Sequence, residues 1–378
     1  MTRTDANEDD GSERRRGRPT MTDVARIAGV SQSSVSLVLN QMSGARISPE
    51  TQQRVFDAAR QVGYKLPGTR HEAAAGTERR TIAYLVDEIS TSPHPVVSLD
   101  GARDFAFEQD FLVATYVTRS NPELEEATIE AVKRDKSVVG VIYSSIFTRR
   151  VKLPKSLEDI PTVLLNCYAE PRKHISIQPG EVAGGFTATA HLTELGHRRI
   201  GFINGEPWMD ASLDRLKGYR QALATADIGF DERLVRSGDW LPLTGYQHAL
   251  DLLSTDNPPT AILCGNDLMA VGALEAAQEM GFKVPDDLTI MGYDDQELAR
   301  YTHPPLTTLV LPNYEMGQRA AEALLDITVH GKTLKPMTIK IDGPLVLRAT
   351  TAKPAPRPFS ARGHQLARSG GGGDLQPA

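Results

Sequence analysis

Short apolar runs recur through the middle of this chain, and most of them end on a polar residue. TIAYLVD (81–87), FLVATYV (111–117), VVGVIYS (138–144) and PTVLLN (161–166) are separated by helix-like stretches. Val- and Ile-rich runs of that length, alternating with helices, predict βαβ units and a parallel sheet covered on both faces. After about residue 178 the rhythm restarts with RRIGFING (198–205), PTAILCGND (259–267) and DLTIMGYDD (287–295). Two such halves predict two Rossmann-like subdomains. PPLTTLVLP (304–312) then crosses back to the first half, a helix follows over about 314–329, and MTIKIDGPLVLRAT (337–350) returns. The expected division is about 81–178 with 310–335, and about 179–309 with 336–350.

Ligands of open parallel sheets bind beyond the carboxyl ends of the strands. Asp87 and Glu88, Asn166, Asn204, Asn266 and Asp267, and Asp294 and Asp295 stand at those ends. Amides and carboxylates suit vicinal hydroxyls, and an aromatic plate suits the apolar face of a sugar ring. Trp208 and Trp240 are candidate plates, and Arg215 is a planar fork for an oxygen-rich ligand. Taken singly, each tryptophan better suits a core and the arginine a surface ion pair.

The first 70 residues read differently. Thr20-Met21-Thr22-Asp23 has the form of a capping box, Val24, Ile27 and Ala28 follow at helical spacing, and Gly29 ends the helix. Ser31 can cap a second short helix with Val35, Val38 and Leu39 on one face. Ser48, Pro49 and Glu50 open a third helix with a stripe of Val55, Ala58, Ala59 and Val62, stopped by Gly63. Helix, tight turn and short helix form a helix-turn-helix, whose second helix lies in the DNA major groove. That explains the polar side of VSQSSVSLVLN (30–40): Ser31, Gln32, Ser33, Ser34, Ser36 and Asn40 can reach bases and phosphates, and Gln32 can pair bidentately with adenine. Between Arg14 and Arg70 there are ten Lys or Arg against three acids, a surplus of +7 in a chain whose total is −6. A basic head on an acidic body points to a polyanionic partner.

MTDVARIAGVSQSSVSLVLN and ISPETQQRVFDAARQVGY together resemble the DNA-binding head of the LacI/GalR family of bacterial transcription regulators. The resemblance runs from about Thr20 to Thr350. It implies an α/β chain with a small all-α helix-turn-helix head (20–66). A hinge (67–80) and a two-subdomain, periplasmic-binding-protein-like effector domain (81–350) follow. It implies a homodimer on a pseudo-palindromic double-stranded operator, controlled by a small-molecule effector. Thr20 joins the expected DNA contacts. The family's effector arginine matches Arg215 in DRLKGY, its Asn-Asp-x-Met-Ala asparagine matches Asn266, its Gly-Tyr-Asp-Asp aspartate matches Asp294, and a sugar-stacking aromatic after Gly-Asp matches Trp240. Asn166 stands where a sugar-binding member has aspartate, and Asp87 falls at a strand end that often contacts a hydroxyl. Trp240 favours a sugar over a purine or other metabolite. Two positions depart from the family. Leu37 replaces the usual basic base-reading residue, and can touch a thymine methyl but not read guanine. The hinge reads YKLPGTRHEAAAG, where Pro67-Gly68 disfavours a helix start and no leucine wedge follows.

Other functions fit less well. No dinucleotide, P-loop or serine-nucleophile motif is present, so no enzyme and no cofactor are expected. Cys167 and Cys264 do not form a ligand-spaced cluster, and His191, His197 and His303 read as structural, so no metal site is expected. No stretch approaches 18 uninterrupted apolar residues, and MTRTDANEDDGSERRRGRPT lacks a secretory apolar region, so no membrane association and a cytoplasmic location are expected. That also weighs against an exported solute-binding protein. Residues 1–19, carrying the basic run 14–18, and 351–378, rich in Pro and Gly, are expected to be disordered tails. The latter carries no leucine heptads, which favours a dimer over a tetramer.

Overall fold

A computed structural model of the protein describes residues 20–39, 47–64 and 80–355. Asn40, the tail over 1–19, the linker over 67–79 and residues 356–378 lie outside the described residues. The chain divides into two compact units, Met1–Arg70 and His71–Ala378.

The first unit contains α1 (Met21–Ala28), α2 (Gln32–Leu39) and α3 (Pro49–Val62). The Thr20 hydroxyl accepts from the Asp23 amide at 3.2 Å, and the Asp23 carboxylate accepts from the Thr20 amide at 3.0 Å. This reciprocal cap satisfies two helix-end donors. Gly29 takes φ 64°, where a side chain would be strained, and turns the chain into α2. Met21, Val24, Ala28, Val35, Val38, Leu39, Val55, Ala58 and Ala59 form the buried core. Ile27, expected on the inner stripe, is 37% exposed, and Met21 and Ala25 are buried instead.

The second unit opens with β1 (Arg80–Val86), α4 (His94–Glu108), β2 (Phe111–Val117), α5 (Pro122–Arg134), β3 (Val138–Arg150), β4 (Thr162–Tyr168) and β5 (Ile175–Pro179). It continues through α6 (Glu181–Glu194), β6 (Ile200–Asn204), α7 (Asp210–Thr225), β7 (Val235–Ser237), α8 (Pro242–Leu253), β8 (Ala261–Cys264), α9 (Asp267–Glu279) and β9 (Thr289–Met291). It closes with β10 (Thr308–Leu309), α10 (Asn313–Thr328), β11 (Thr338–Ile341) and β12 (Leu345–Val346). Two parallel sheets result, ordered β11-β5-β4-β3-β1-β2 and β7-β6-β8-β9. Alternate residues of β1 serve opposite faces. Ile82, Tyr84 and Val86 pack with α4 and α10, while Ala83 and Leu85 pack with Ile129 and Val132 of α5. That two-sided burial is why these strands read as unbroken apolar runs. The second sheet is likewise enclosed, by α6 and α7 on one face and α8 and α9 on the other.

The chain's return differs from the expected division. β11 pairs in parallel with β5 and so extends the first sheet. Only after Ile341 does the chain rejoin the second half, where β12 pairs antiparallel with β10. Residues 336–350 are therefore shared between the halves. Arg80, assigned to the linker, begins β1. The segment 351–355, expected to be part of a tail, is held in place: the Ala352 amide donates to Thr289 Oγ1 at 3.1 Å and its carbonyl lies 2.8 Å from His197 Nε2.

Candidate functional site

In the first unit, α2 presents the residues expected to meet bases. Gln32, Ser34, Ser36 and Leu37 are part-exposed. Ser31 has another role: it is 3% exposed, and its hydroxyl accepts the Ser34 amide at 2.9 Å, capping α2. Thr20 is likewise engaged as the cap of α1. Gln32 Nε2 donates to Thr22 Oγ1 at 3.3 Å, which ties this side chain to the first helix. Ser33 falls within α2, and Asn40 lies outside the described residues.

In the second unit four residues at or just beyond strand ends occupy unusual backbone conformations. Asn166, Trp240, Asp294 and Asp295 have φ of 56°, 70°, 107° and 53°. Positive φ in non-glycine residues costs on the order of 1–3 kcal/mol each and gathers at functional sites. Three of the seven residues expected to meet the effector belong to this set.

On the first half, Asp87 organises the strand ends. Its carboxylate accepts from Ser145 Oγ at 2.7 Å, the Ile146 amide at 2.8 Å and Arg149 Nη2 at 2.8 Å. Asn166 lies beside this network, accepting from Thr148 Oγ1 at 2.6 Å and donating to the Ser145 carbonyl at 3.2 Å.

On the second half, Arg215 is almost wholly buried. Its Nε and Nη2 donate to the two oxygens of Glu181 at 2.7 and 2.8 Å, and Nη1 donates to the Gly265 carbonyl. Tyr293 lends its ring, 3.7 Å from the guanidinium carbon, and its hydroxyl donates to Glu181 at 2.9 Å. Asp294 Oδ1 stands 3.8 Å from Arg215 Nη2. Burial opposes the arginine's charge, but Glu181, Tyr293 and Asp294 more than offset it, holding the guanidinium above the ordinary arginine range. The packing of α6 on α7 brings this pair together. A Cβ on Gly218 would sit 2.2 Å from the Val182 carbonyl, and one on Gly185 would sit 2.3 Å from the Arg215 carbonyl, so only glycine allows the crossing.

Asn266 caps α9 by accepting the Met269 amide at 2.9 Å, and its amide donates to the Trp240 carbonyl at 2.9 Å. Trp240 is half-buried, and its ring lies so close to Gly205 that a Cβ there would come within 1.9 Å of it. Next to Asn266, Asp267 is fully buried, and burial first, then the charge of Asp294, pushes its carboxyl well above the usual range. Asn204, at the end of β6, donates to the Ser212 carbonyl at 2.8 Å, while its Oδ1 and the Ser212 hydroxyl are buried without a protein partner.

Trp208 is placed differently from Trp240. It lies between β6 and α7, 61% exposed, edge-on to Phe147 of the other half at 5.6 Å. Two further contacts join the halves. Tyr168 Oη donates to Asp210 at 3.0 Å, and His94 Nε2 stands 3.5 Å from Asp294. The Asn313 amide donates to His94 Nδ1 at 3.1 Å, so the ring proton sits on Nε2, facing Asp294.

Sequence reasoning missed Glu181, Tyr293, His94, Phe147 and Arg149. Glu181 carried the one visible signal, an acid opening a glycine-rich helix in QPGEVAGG. Among the described residues no cluster of His, Cys, Asp and Glu is arranged to hold a metal ion, and no helix is long and apolar enough to cross a membrane.

Comparison with known proteins fits both units. Residues 20–66 match bacterial regulatory proteins of the lacI family, and residues 189–351 match a periplasmic binding protein-like domain. The chain is 33% identical over 336 residues to the HTH-type transcriptional repressor CytR of Escherichia coli strain K12, covering 88% of this chain and 96% of that protein. It is 30% identical to the repressor PurR of Mannheimia succiniciproducens, covering 88% and 99%. Among solved structures, the transcriptional regulator CelR–cellobiose complex superposes with TM-score 0.61 at 30% identity, covering 88% of this chain and 100% of that one. The Lac repressor bound to ONPG gives TM-score 0.61 at 28% identity, covering 89% and 100%. The chain therefore belongs to the LacI family of bacterial regulatory proteins, as a DNA-binding transcriptional regulator with a periplasmic-binding-protein-like effector domain.

Proposed function

We propose that this regulator is a cytoplasmic, non-enzymatic repressor. It binds a pseudo-palindromic operator as a homodimer and changes its DNA affinity when a small effector, a sugar, occupies the strand ends between the two halves of the second unit. What supports this reading is that Asp87 and Asn166 share one hydrogen-bond network at the strand ends of the first half, while Trp240, Asn266 and Asp294 lie at those of the second, with the buried Arg215 5.5 Å from the Trp240 ring and 3.8 Å from Asp294. Two carboxylates, two amides and an aromatic plate match vicinal hydroxyls and a ring face. The solved relatives that carry cellobiose or ONPG give the same class of ligand precedent.

Contacts that bridge the halves supply the switch. The pairs His94–Asp294, Tyr168–Asp210 and Phe147–Trp208 hold one relative angle. A ligand that prefers a different angle must remake them, and its differential affinity for the two angles sets the shift in DNA binding. On the DNA side, Gln32, Ser34, Ser36 and Leu37 of α2 read the major groove, with Ser31 and Thr20 as caps. The test is operator binding by the full chain, with a duplex selected by the protein from a random pool, against a sugar panel. One sugar that shifts affinity in the wild type and not in Trp240→Ala supports the reading. A protein that binds its duplex but ignores every sugar, while responding to another metabolite class, would replace the sugar.

A further inference from the structure

A second cavity lies at the opposite end of the second sheet from the candidate effector site. β6, β7 and β8 run parallel, with Asn204 at the carboxyl end of β6 and Trp240 just beyond that of β7. Arg199 comes immediately before β6, Arg233 and Leu234 before β7, and Thr255 in the turn before β8. Together with Arg236 and Leu252 they line a cavity of about 360 Å³. Small-molecule sites fall roughly between 300 and 1,000 Å³.

The charge at this wall is one-sided. It carries three arginines and one acid, Asp256, while Asp231, the carboxylate that pairs with two of the arginines, is not part of it. Arg233 meets both oxygens of Asp231 through Nε and Nη2, at 2.9 and 3.0 Å. Arg199 reaches the same carboxylate through Nη1 at 3.3 Å and donates through Nε to the Asn257 carbonyl at 2.6 Å. Hydrogen bonding from Arg233 holds the Asp231 carboxyl down to about 2, so the acid stays ionised and both guanidinium groups stay fixed. Arg236 donates through Nη1 to the carbonyls of Arg233 and Val235 and, among the described residues, pairs with no carboxylate. These bonds leave Nη2 of Arg199, Nη1 of Arg233, and Nε and Nη2 of Arg236 without a protein acceptor among the described residues. Forked N–H groups of this kind suit the oxygens of a phosphate, and holding them in place beforehand lowers the entropy lost on binding. Leu234 and Leu252, both buried, supply the apolar part of the wall. An inorganic ion would leave that part uncovered.

We propose that this cavity is a second ligand site, separate from the effector cleft, for a small organic molecule bearing a phosphate group. Arg199, Arg233 and Arg236 take the phosphate oxygens, and Leu234 and Leu252 take the apolar part of the molecule. The site stands independently of the effector reading, because it shares no residue with the cleft.

The experiment titrates the full chain at constant ionic strength, by calorimetry and thermal unfolding, with inorganic phosphate, glucose 6-phosphate and adenosine monophosphate, and with glucose and adenosine as their uncharged partners. Inorganic phosphate is expected to bind in the millimolar range, and at least one organic phosphate at least tenfold more tightly than inorganic phosphate. Arg236→Gln and Arg233→Gln are each expected to weaken the phosphate compounds by about tenfold, the loss of one charge-assisted hydrogen bond. Trp240→Ala, in the cleft, is expected to leave them unchanged. Arg233 is 85% exposed, so Arg233→Gln serves alone if circular dichroism shows Arg236→Gln to be unfolded. A wild type that binds no inorganic phosphate overturns the proposal. So does phosphate binding that survives both arginine substitutions but falls in Trp240→Ala, which would place the anion in the cleft. Equal affinity for inorganic and organic phosphates overturns it as well, since the cavity would then hold an adventitious ion only.

Discussion

Removing both partners of the buried Glu181–Arg215 pair should cost far less than the sum of removing each alone. Glu181→Ala leaves a guanidinium 4% exposed, with Asp294 at 3.8 Å as its nearest counter-charge and one bond to the Gly265 carbonyl. Stranding a buried charge in this way costs about 3–5 kcal/mol. Arg215→Ala strands Glu181 beside the Tyr293 hydroxyl, with a cost of the same order. Replacing both by leucine removes the charges, but leaves the Tyr293 hydroxyl without its acceptor and the Gly265 carbonyl without its donor. Each orphaned neutral group costs about 1–3 kcal/mol, so the double variant should lose about 2–6 kcal/mol rather than the roughly 6–10 expected from adding the singles. The cycle should therefore show a coupling of about 3 kcal/mol or more, above the usual range for independent sites. For a unit of this size about 1 kcal/mol moves the melting temperature by 2–4 °C, so either single substitution should lower it by roughly 10 °C. Thermal and urea unfolding of the second unit's transition provide the measurement. Single substitutions that each cost under about 1 kcal/mol, or that add without coupling, would refute the view that the pair is a desolvated unit holding α6 to α7.

Other substitutions test the two sites separately. Trp240→Ala should weaken effector binding while operator affinity without effector is unchanged, and Gly205→Ala should do likewise, because the new methyl would collide with the Trp240 ring; titration calorimetry compares them. Gln32→Ala should relax preference at one base pair by about 1–3 kcal/mol, read by competition with single-base operator variants, and an unchanged preference everywhere would remove Gln32 from base reading. Thr20→Ala removes the hydroxyl that caps α1 and should destabilise the first unit by about 1 kcal/mol, seen as a lower melting temperature of that unit. Burial lowers both His191 and His197 below the ordinary 6.5, so the native state takes up fewer protons there than the unfolded chain. Their contribution is complete above about pH 6.5 and is lost as pH falls below it, with a slope of up to about 1.4 kcal/mol per pH unit for each histidine. Urea titrations across that range should show the decline, and His197→Gln should flatten part of it.

The strands were legible because burial on both faces demands unbroken apolar runs, and β2 falls on the expected residues. β3 continues to Arg150, beyond the expected Ser144, because after an irregularity Arg149 and Arg150 pair again with Cys167 and Tyr168. The extension SIFTRR (145–150) breaks Ile146 and Phe147 with polar residues on both sides, so it does not read as an unbroken apolar run. The placement of β11 was not legible for a different reason. Thr338–Ile341 is a short edge strand, and nothing in four residues tells which of two sheets they will join. The caps Thr20, Ser48, Gly29 and Gly63 were readable because the chemistry is local.

At the candidate site the strand-end positions of the polar residues were legible in the sequence, since polar atoms following buried strands emerge where the sheet ends. Glu181 was not foreseen because an acid in the first turn of a helix already has an ordinary explanation in the helix dipole. Its role appears only when Gly185 and Gly218 bring α6 against α7 and set it opposite Arg215. Trp208 illustrates the reverse. It was a candidate plate by residue type alone, and its ring is mostly open to solvent and lies edge-on to Phe147 across the two halves.

The most direct test of the account is reciprocal linkage between the two units. Operator affinity of the full chain is measured by fluorescence anisotropy without effector and with a saturating sugar taken from the panel, and sugar affinity is measured with and without operator. Trp208 and Trp240, the chain's two tryptophans, are the intrinsic fluorescence probes for that measurement. The account predicts that the two ratios are equal, because coupling free energy is the same from either side. It also predicts that both ratios fall to one in Trp240→Ala at sugar concentrations that saturate the wild type. A sugar that binds with full tryptophan response and leaves operator affinity unchanged would contradict the claim that these strand ends control DNA binding.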